Sequence, residues 1–338
     1  MLRCHPTRPR SHMTRFLITG GEQRGKRSLA AGNKRWYRYG KAHLVEVDTA
    51  VKTASTRLSY TSPSGVTAAE DPAILFKQGY IDGDRLLLTT QTEVLVLSYP
   101  NLERIGYVSL PSFNDVHHVR PTPDGTLLVV NTGLDQLIEV GLDGELVRRW
   151  SVTGSDPWNG RFDPDEDYRL HASTKPYEAH PNHVFHIGDE PWVTRFEKRD
   201  AVSMVDPGRR IDIGAERVHD GTVAGDHVYF TTVDGRVAVA CTDTLEVVEM
   251  IDLNTIDGND AILGWCRGIH IEGDQAWIGF SRLRPTAFRE NVSWVREGFK
   301  RSLGTHIAKY DLVNRRLLDR FDIEGQTPLN AVFSILPA

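Results

Sequence analysis

The segment YIDGDRLLLTT (residues 80–90) places an Asp-Gly turn between two short apolar runs, a pattern typical of a β-hairpin. Closely similar turn-and-strand patterns recur along the chain. They are PTPDGTLLVVNT (121–132), HIGDEPWVTR (186–195), VAGDHVYFTT (223–232) and IEGDQAWIGF (271–280). Helical periodicity is nearly absent, so the recurring hairpins predict an all-β chain.

The spacing of these hairpins predicts the architecture. Where no insertion intervenes they repeat about every 40 residues, the length of a four-stranded propeller blade. We therefore predict one all-β domain over 14–338, a single β-propeller of about six four-stranded blades. Five blades fall at 73–113, 114–154, 180–215, 216–258 and 264–325. The remaining blade joins NAVFSIL near the C-terminus to FLITGG and HLVEVD near the N-terminus, which removes the last free sheet edge.

Three segments depart from the repeat. Residues 155–179 and 283–304 are polar, contain aromatic residues and lack strand alternation, so they are insertions. Long loops on a rigid scaffold often act as lids or binding loops, and simple decoration of the rim is the alternative. Residues 1–13 are basic with no apolar stretch after them, which predicts a disordered or vector-derived leader rather than a secretory signal.

Composition narrows the function classes. The formal net charge is -5 and no run of apolar residues is long enough to span a membrane, so we expect neither a nucleic-acid nor a membrane partner. The three cysteines (Cys4, Cys241 and Cys266) are odd in number and far apart, as in a reducing compartment. We therefore expect a cytoplasmic protein, and these features leave its oligomeric state open.

Histidines are concentrated near the starts of the predicted innermost strands, which line the central channel of a propeller. When the blades are aligned on their turns, four segments fall at the same position, the start of the innermost strand: DVHHV, HPNHV, VHDGTV and RGIHI. His118, His183 and His270 each precede an apolar residue there, and the other histidines at this position are His117, His180 and His219. One such histidine is ordinarily structural, but several crowded imidazoles are costly to bury without a ligand.

Neutral imidazole is the commonest metal ligand, and three protein ligands with open positions are typical of a catalytic metal site. We predict a divalent metal bound by His118, His183 and His270. His219 is either a fourth ligand or an acid/base, and His219 and His180 are the candidate catalytic residues.

Arginines near the same strands indicate a small anionic substrate, since a guanidinium binds carboxylate, sulfate or phosphate well. Surface salt bridging is the alternative for each of them. Asp115 and Asp220 are candidate partners for the outer nitrogens of the ligand histidines. The candidate substrate-binding residues are Arg195, Arg267, Arg282, Asn182 and His117, with Arg120 and Arg284 nearby.

The chain resembles an uncharacterised bacterial family of predicted β-propellers over most of 114–336. The resemblance is clearest in DVHHVRPTPDGTLLVVNT, HPNHVFHIGDEPWVTR and GWCRGIHIEGDQAWIGF. It implies that His117, His180, Asn182 and Arg267 follow the family pattern. The departures from that pattern, His118, His183 and His270, are all to histidine, as the acquisition of a metal site would produce.

A more distant resemblance is to arylsulfotransferases, which are six-bladed and rich in channel histidines. It implies sulfuryl transfer through His219, with Arg195 and His180 stabilising the charge. For the metal, Fe(II) ranks ahead of Zn or Mn, because an all-histidine iron site in a propeller channel resembles that of carotenoid-cleaving oxygenases. The first hypothesis is a metal-dependent enzyme, an oxygenase ahead of a hydrolase or lyase. The alternatives are sulfuryl transfer and a non-catalytic binding platform.

Overall fold

The computed structural model describes residues 14–25, 38–154, 156–158, 160–258, 262–283 and 303–338. Within these residues, six four-stranded sheets are arranged in a ring, which confirms the predicted six-bladed β-propeller. The predicted leader, most of the second predicted insertion and Arg284 lie outside the described residues. No described helix is long and apolar enough to cross a membrane.

Each blade is an antiparallel meander of four strands, and the chain visits the blades in order around the ring. The closing blade comprises β24 (Val332–Pro337), β1 (Arg15–Gln23), β2 (Tyr39–Asp48) and β3 (Thr53–Tyr60). The second blade comprises β4 (Gly79–Asp82), β5 (Arg85–Thr89), β6 (Val94–Ser98) and β7 (Arg104–Val108). The third comprises β8 (Val116–Pro121), β9 (Leu127–Asn131), β10 (Gln136–Val140) and β11 (Leu146–Ser151). The fourth comprises β12 (Pro181–Ile187), β13 (Glu190–Arg195), β14 (Asp200–Ser203) and β15 (Arg210–Asp212). The fifth blade comprises β16 (Thr222–Ala224), β17 (His227–Thr232), β18 (Arg236–Cys241) and β19 (Val247–Asp252). The sixth comprises β20 (Trp265–Glu272), β21 (Gln275–Ser281), β22 (His306–Asp311) and β23 (Arg316–Asp322).

The described helical residues form one short α-helix, α1 (Leu253–Asp257), and two 3-10 turns at Thr132–Leu134 and Tyr168–Leu170. The Asp-Gly and Gly-Asp pairs make the expected tight turns. Between β4 and β5, for example, Gly83 has φ 59°, a conformation that glycine adopts at no steric cost. The predicted insertion at 155–179 connects β11 to β12 and contains the second 3-10 turn.

In each blade, the strand given first above is the innermost strand of the ring. Each innermost strand contacts the innermost strand of the neighbouring blade. These contacts join β4 to β8, β8 to β12, β12 to β16, β16 to β20, β20 to β24 and β24 to β4. Apolar side chains fill the space between adjacent blades. One such cluster packs Phe16 and Val332 of the closing blade against Trp277 and Ile307 of its neighbour. The packed blades hold the innermost strands rigidly around a central channel.

The closing blade pairs the two ends of the chain. β1 pairs with β24, its register running from Phe16 opposite Pro337 to Gly20 opposite Val332. A Cβ added at Gly20 would lie 1.8 Å from the carbonyl oxygen of Ala331, so only glycine allows this approach of the two strands. The predicted closure between N- and C-terminal strands is confirmed.

Candidate functional site

Local irregularities at the starts of three innermost strands shape the channel. The pairing register shifts between Val116 and His118 in β8, between Pro181 and Val184 in β12, and between Arg267 and Ile269 in β20. A bulge of this kind bends the strand and re-aims the side chains around it.

Two cavities lie along the channel. The main cavity has a volume of about 240 Å³ and the second cavity about 280 Å³. Six lining residues of the main cavity, one from each blade, form a ring at or just before the innermost strands: Lys77, His117, Asn182, His219, Arg267 and Phe333. The residue that follows each of these six in the chain lines the second cavity, and together these residues form a second ring: Gln78, His118, His183, Asp220, Gly268 and Ser334.

The paired histidines of the DVHHV segment therefore serve different cavities. His117 lines the main cavity and His118 lines the second cavity. This is expected, because the side chains of adjacent strand residues point to opposite faces.

A possible metal-binding group lies in the main cavity. Asp115, His117 and His180 each offer one ligand atom, and these atoms all lie within 4.8 Å of one another. This is the one such group of three or more found in the part of the chain that the structure describes. The rings of His117 and His180 meet edge to face with centroids 5.5 Å apart. Asp115 and His180 have φ of 53° and 56°, so both positions hold an uncommon backbone conformation where the chain turns into the innermost strands.

The hydrogen bonds of His117 leave its outer nitrogen available to a metal. Its Nδ1 lies 2.9 Å from the carbonyl oxygen of Asp115, which can only accept, and 3.5 Å from the Lys77 ammonium, which can only donate. The carbonyl contact is the shorter of the two, and we assign the hydrogen to Nδ1 on that basis. The hydroxyl of Thr132 lies 2.8 Å from the same Nδ1 and donates its hydrogen to the carbonyl of Pro181. The neutral ring therefore keeps the lone pair on Nε2, the arrangement found for many metal-ligating histidines.

Asp115 is an ionised carboxylate in a cationic setting. Lys77 donates to its Oδ1, and the Tyr177 hydroxyl lies 2.5 Å from its Oδ2. Burial by itself raises the pKa of Asp115, but Lys77 and the nearby histidines outweigh burial and hold that pKa well below its usual range. Burial in turn lowers the pKa of Lys77. The pair thus places a negatively charged carboxylate oxygen beside a buried ammonium group.

His180 and His219 have buried nitrogens without hydrogen bonds. Nδ1 of His180 and both ring nitrogens of His219 have no hydrogen-bond partner among the described residues. Nδ1 of His219 does lie 3.4 Å from Asp220 Oδ1, close enough for charge attraction but without hydrogen-bond geometry. Burial lowers the pKa of both histidines, so both rings are neutral near pH 7. Unsatisfied buried nitrogens of this kind are typical of sites that act on a ligand.

The remainder of the main cavity combines positive charge with an apolar wall. Tyr39, Leu75 and Phe333 belong to one apolar cluster and line one side. The guanidinium of Arg267 lies over the Phe333 ring, 4.6 Å from its centroid. Among the described lining residues, the charged side chains are Arg38, Lys77, Lys175, Arg217 and Arg267 against Asp115 and Glu216. Ala172, Ser173, Lys175 and Tyr177 of the predicted insertion at 155–179 also line this cavity.

A hydrogen-bonded layer lines the second cavity. Asp220 accepts from the Gln78 amide, from the Thr231 hydroxyl at 2.6 Å and from the Gly268 backbone at 2.7 Å. Because a carboxylate only accepts, the Gln78 amide nitrogen faces Asp220 and its oxygen faces His183 Nδ1 at 3.0 Å. His183 therefore carries its hydrogen on Nδ1.

This layer does not suit the metal ligands that the sequence predicted. Nδ1 of His118 accepts from the Val184 backbone N–H at 3.1 Å, so the neutral ring carries its hydrogen on Nε2 and has no lone pair to offer a metal. The rings of His118 and His183 stack face to face with centroids 3.9 Å apart, instead of directing their nitrogens at one point. Burial lowers the pKa of His183 to about 3, so it too is neutral.

His270, the third predicted ligand, lies elsewhere. Gly268 of β20 lies in the second ring, and His270 follows it two residues later. Its ring packs against Phe16 between two blades, with centroids 5.6 Å apart, and its Nε2 lies 3.8 Å from Glu272. The predicted ring position of His270 is therefore displaced by two residues along this strand.

Some of the predicted substrate-binding residues line the main cavity, and the others lie outside both cavities. His117, Asn182 and Arg267 line the main cavity. Arg195 instead forms a two-pronged ion pair with the buried Asp200 at 2.8 and 2.6 Å, which joins β13 to β14. Arg282 pairs with Gln23 and Glu324. Neither Arg195 nor Arg282 lines either cavity.

Sequence reasoning missed Lys77. Its signal was a lysine in an otherwise apolar run, AILFKQGY, immediately before the first hairpin turn. Asp115 was expected to support a ligand histidine, and in the structure it belongs to the possible metal-binding group with His117 and His180.

The fold has counterparts among known structures. No protein-family model matches the chain, and no curated protein matches it. The chain is similar to a solved structure from Bacteroides caccae, described as a protein of unknown function, at 11% identity with a TM-score of 0.61 over 95% of this chain and 98% of that one. At this identity the likeness shows the fold alone, a six-bladed β-propeller. The resemblances to an uncharacterised propeller family and to arylsulfotransferases stay predictions.

Proposed function

We propose that the protein is a metal-dependent enzyme whose metal is held by Asp115, His117 and His180 and whose substrate is a small anion with an apolar portion. The observation that carries this proposal is the convergence of one carboxylate and two imidazoles in a channel lined by basic side chains. Two histidines and one carboxylate with open positions form the ligand set of non-haem Fe(II) oxygenases. Iron therefore stays ahead of zinc and manganese, on a ligand set different from the one that the sequence predicted.

The chain's own residues have separable roles in this proposal. A bound metal would supply Lewis acidity toward a substrate oxygen. Arg267 orients the anionic group of the substrate, since a guanidinium fork matches an oxyanion. Tyr39, Leu75 and Phe333 pack against the apolar portion and exclude water from it. His219, buried and neutral, accepts or returns a proton at Nε2.

Charge balance couples the metal to the substrate. The one carboxylate of the ligand group is already neutralised by Lys77, so a divalent ion adds positive charge that no described lining carboxylate beyond Glu216 offsets. An anionic substrate supplies the missing negative charge. We therefore expect each ligand to tighten the binding of the other, as linkage requires.

Elemental analysis of tag-free protein purified anaerobically tests the metal site. Wild type should contain about one metal per chain, and His117→Ala and His180→Ala should lose it. His183→Ala and His270→Ala are matched controls, because these histidines lie outside the main cavity, and both should keep the metal. Metal retained in both site variants, or lost in both controls instead, would overturn the assignment.

A second candidate, sulfuryl transfer through His219, is favoured by one specific observation: neither nitrogen of this buried ring has a hydrogen-bond partner among the described residues, and the charges of Arg267 and Lys77 act on the ring. In this reaction Nε2 of His219 attacks the sulfur of an aryl sulfate. The bond between that sulfur and the aryl oxygen breaks, and the phenolate leaves. Metal-free protein incubated with an aryl sulfate should release the phenol. The sulfuryl group should appear on His219 in peptide mass spectra and be absent in His219→Ala. No phenol release from metal-free wild type removes this candidate.

A further inference from the structure

We propose that the second cavity is a separate binding site for a small oxyanion, anchored by Arg120. The site is independent of the metal-dependent function proposed for the main cavity, since it uses the second ring of channel residues and shares no lining residue with the main cavity.

Arg120 supplies the positive charge. It lies on β8, two residues beyond His118, and lines the second cavity. Its guanidinium lies over the Tyr80 ring, 5.1 Å from the centroid, and makes no ion pair with a carboxylate among the described residues. A ring face holds the guanidinium in place while leaving its in-plane N–H donors open.

Imidazoles surround this guanidinium. His118, His183 and His186 line the same cavity as Arg120. The hydrogen bond from Val184 to His118 Nδ1 leaves an N–H at Nε2 of that ring as a further donor. The cavity therefore offers a cation and neutral N–H groups in one place.

Asp220 is the one carboxylate among the described lining residues, and its hydrogen-bonding capacity is committed elsewhere. It is 3% exposed, and its two oxygens accept from Gln78, Thr231 and the Gly268 backbone. No hydrogen bond joins it to Arg120. The charge of Arg120 thus remains for a ligand, and a phosphate- or carboxylate-type oxyanion matches a guanidinium flanked by N–H donors.

Isothermal titration of the full chain with inorganic phosphate, and separately with acetate, tests the site. We expect saturable binding of at least one anion, weakened roughly tenfold or more in Arg120→Gln, the loss typical of one charge-assisted contact. Phosphate binding alone identifies a tetrahedral ligand, acetate binding alone a carboxylate, and either supports the site.

Two further variants distinguish this site from other arginines. Arg148→Gln removes a guanidinium that also lies over an aromatic ring, 4.4 Å from the Trp150 centroid, but on the outermost strand β11, and binding should not change. Arg267→Gln alters the main cavity and should leave this binding intact. Binding lost in Arg267→Gln but kept in Arg120→Gln places the anion in the main cavity and overturns the proposal. No saturable binding of either anion overturns it as well.

Discussion

His306 allows a prediction of how stability depends on pH. The residue is 2% exposed, its ring stacks on Phe280 with centroids 4.9 Å apart, and its Nδ1 donates to the Gly304 carbonyl at 2.8 Å. The buried Nε2 has no hydrogen-bond partner among the described residues, so a proton there would be unsatisfied. Burial accordingly lowers the pKa of His306 to about 4.

The sign and size of the effect follow from linkage. In the unfolded chain this histidine takes up a proton near pH 6.5, whereas in the native protein it does so only near pH 4. Below pH 6.5 the unfolded state therefore binds more protons, and the free energy of unfolding falls as the pH falls. Between pH 7 and pH 5 one such histidine costs about 2 kcal/mol. His118, also 2% exposed with a pKa well below its usual range, adds a loss of the same sign.

Urea unfolding at pH 7, 6 and 5 measures this loss. The difference between the pH 7 and pH 5 unfolding free energies should shrink by about 2 kcal/mol in His306→Gln, which removes one titrating group. Only this difference is compared, because the substitution also changes stability at pH 7. His227→Gln, at the more exposed start of β17, is the control and should behave as wild type. Equal pH dependence in wild type and His306→Gln would refute the reasoning.

Two further predictions concern the site and the closure. Asp115→Asn leaves the Lys77 ammonium buried without its counter-charge and should lower the free energy of unfolding by roughly 3–5 kcal/mol, and adding Lys77→Met should recover part of it, as measured by urea unfolding. Gly20→Ala should lower the melting temperature sharply, because the new Cβ meets the Ala331 carbonyl. Gly304→Ala is the control, since its nearest contact would be 3.5 Å and the melting temperature should stay near that of wild type.

The fold was predictable because its signals are local. Each Asp-Gly or Gly-Asp turn, such as Gly83, marks a hairpin by itself, and a regular spacing of hairpins implies a ring of blades. The pairing of β1 with β24 followed from the leftover strands at the two ends. The histidine-rich channel could also be located, since His117 and His180 stand at the starts of innermost strands.

The possible metal-binding group was not predictable because it depends on register and hydrogen-bond direction. In β20, Gly268 occupies the ring position where the sequence alignment placed His270, which lies two residues further along the strand. Likewise, a single backbone N–H, that of Val184, removes the lone pair of His118, and no sequence pattern records it. The choice between His117 and His118 was decided by which side of the strand each faces at the bulge.

The closure of the ring also determines when the main cavity comes into being during synthesis. Phe333, on the strand that pairs with β1, forms part of the apolar wall of that cavity. On the ribosome, β1 emerges early and must wait for β24, more than 300 residues later, before its sheet is complete. A nascent chain that has not yet reached β24 therefore lacks both the partner strand of β1 and the part of the main-cavity wall that Phe333 supplies.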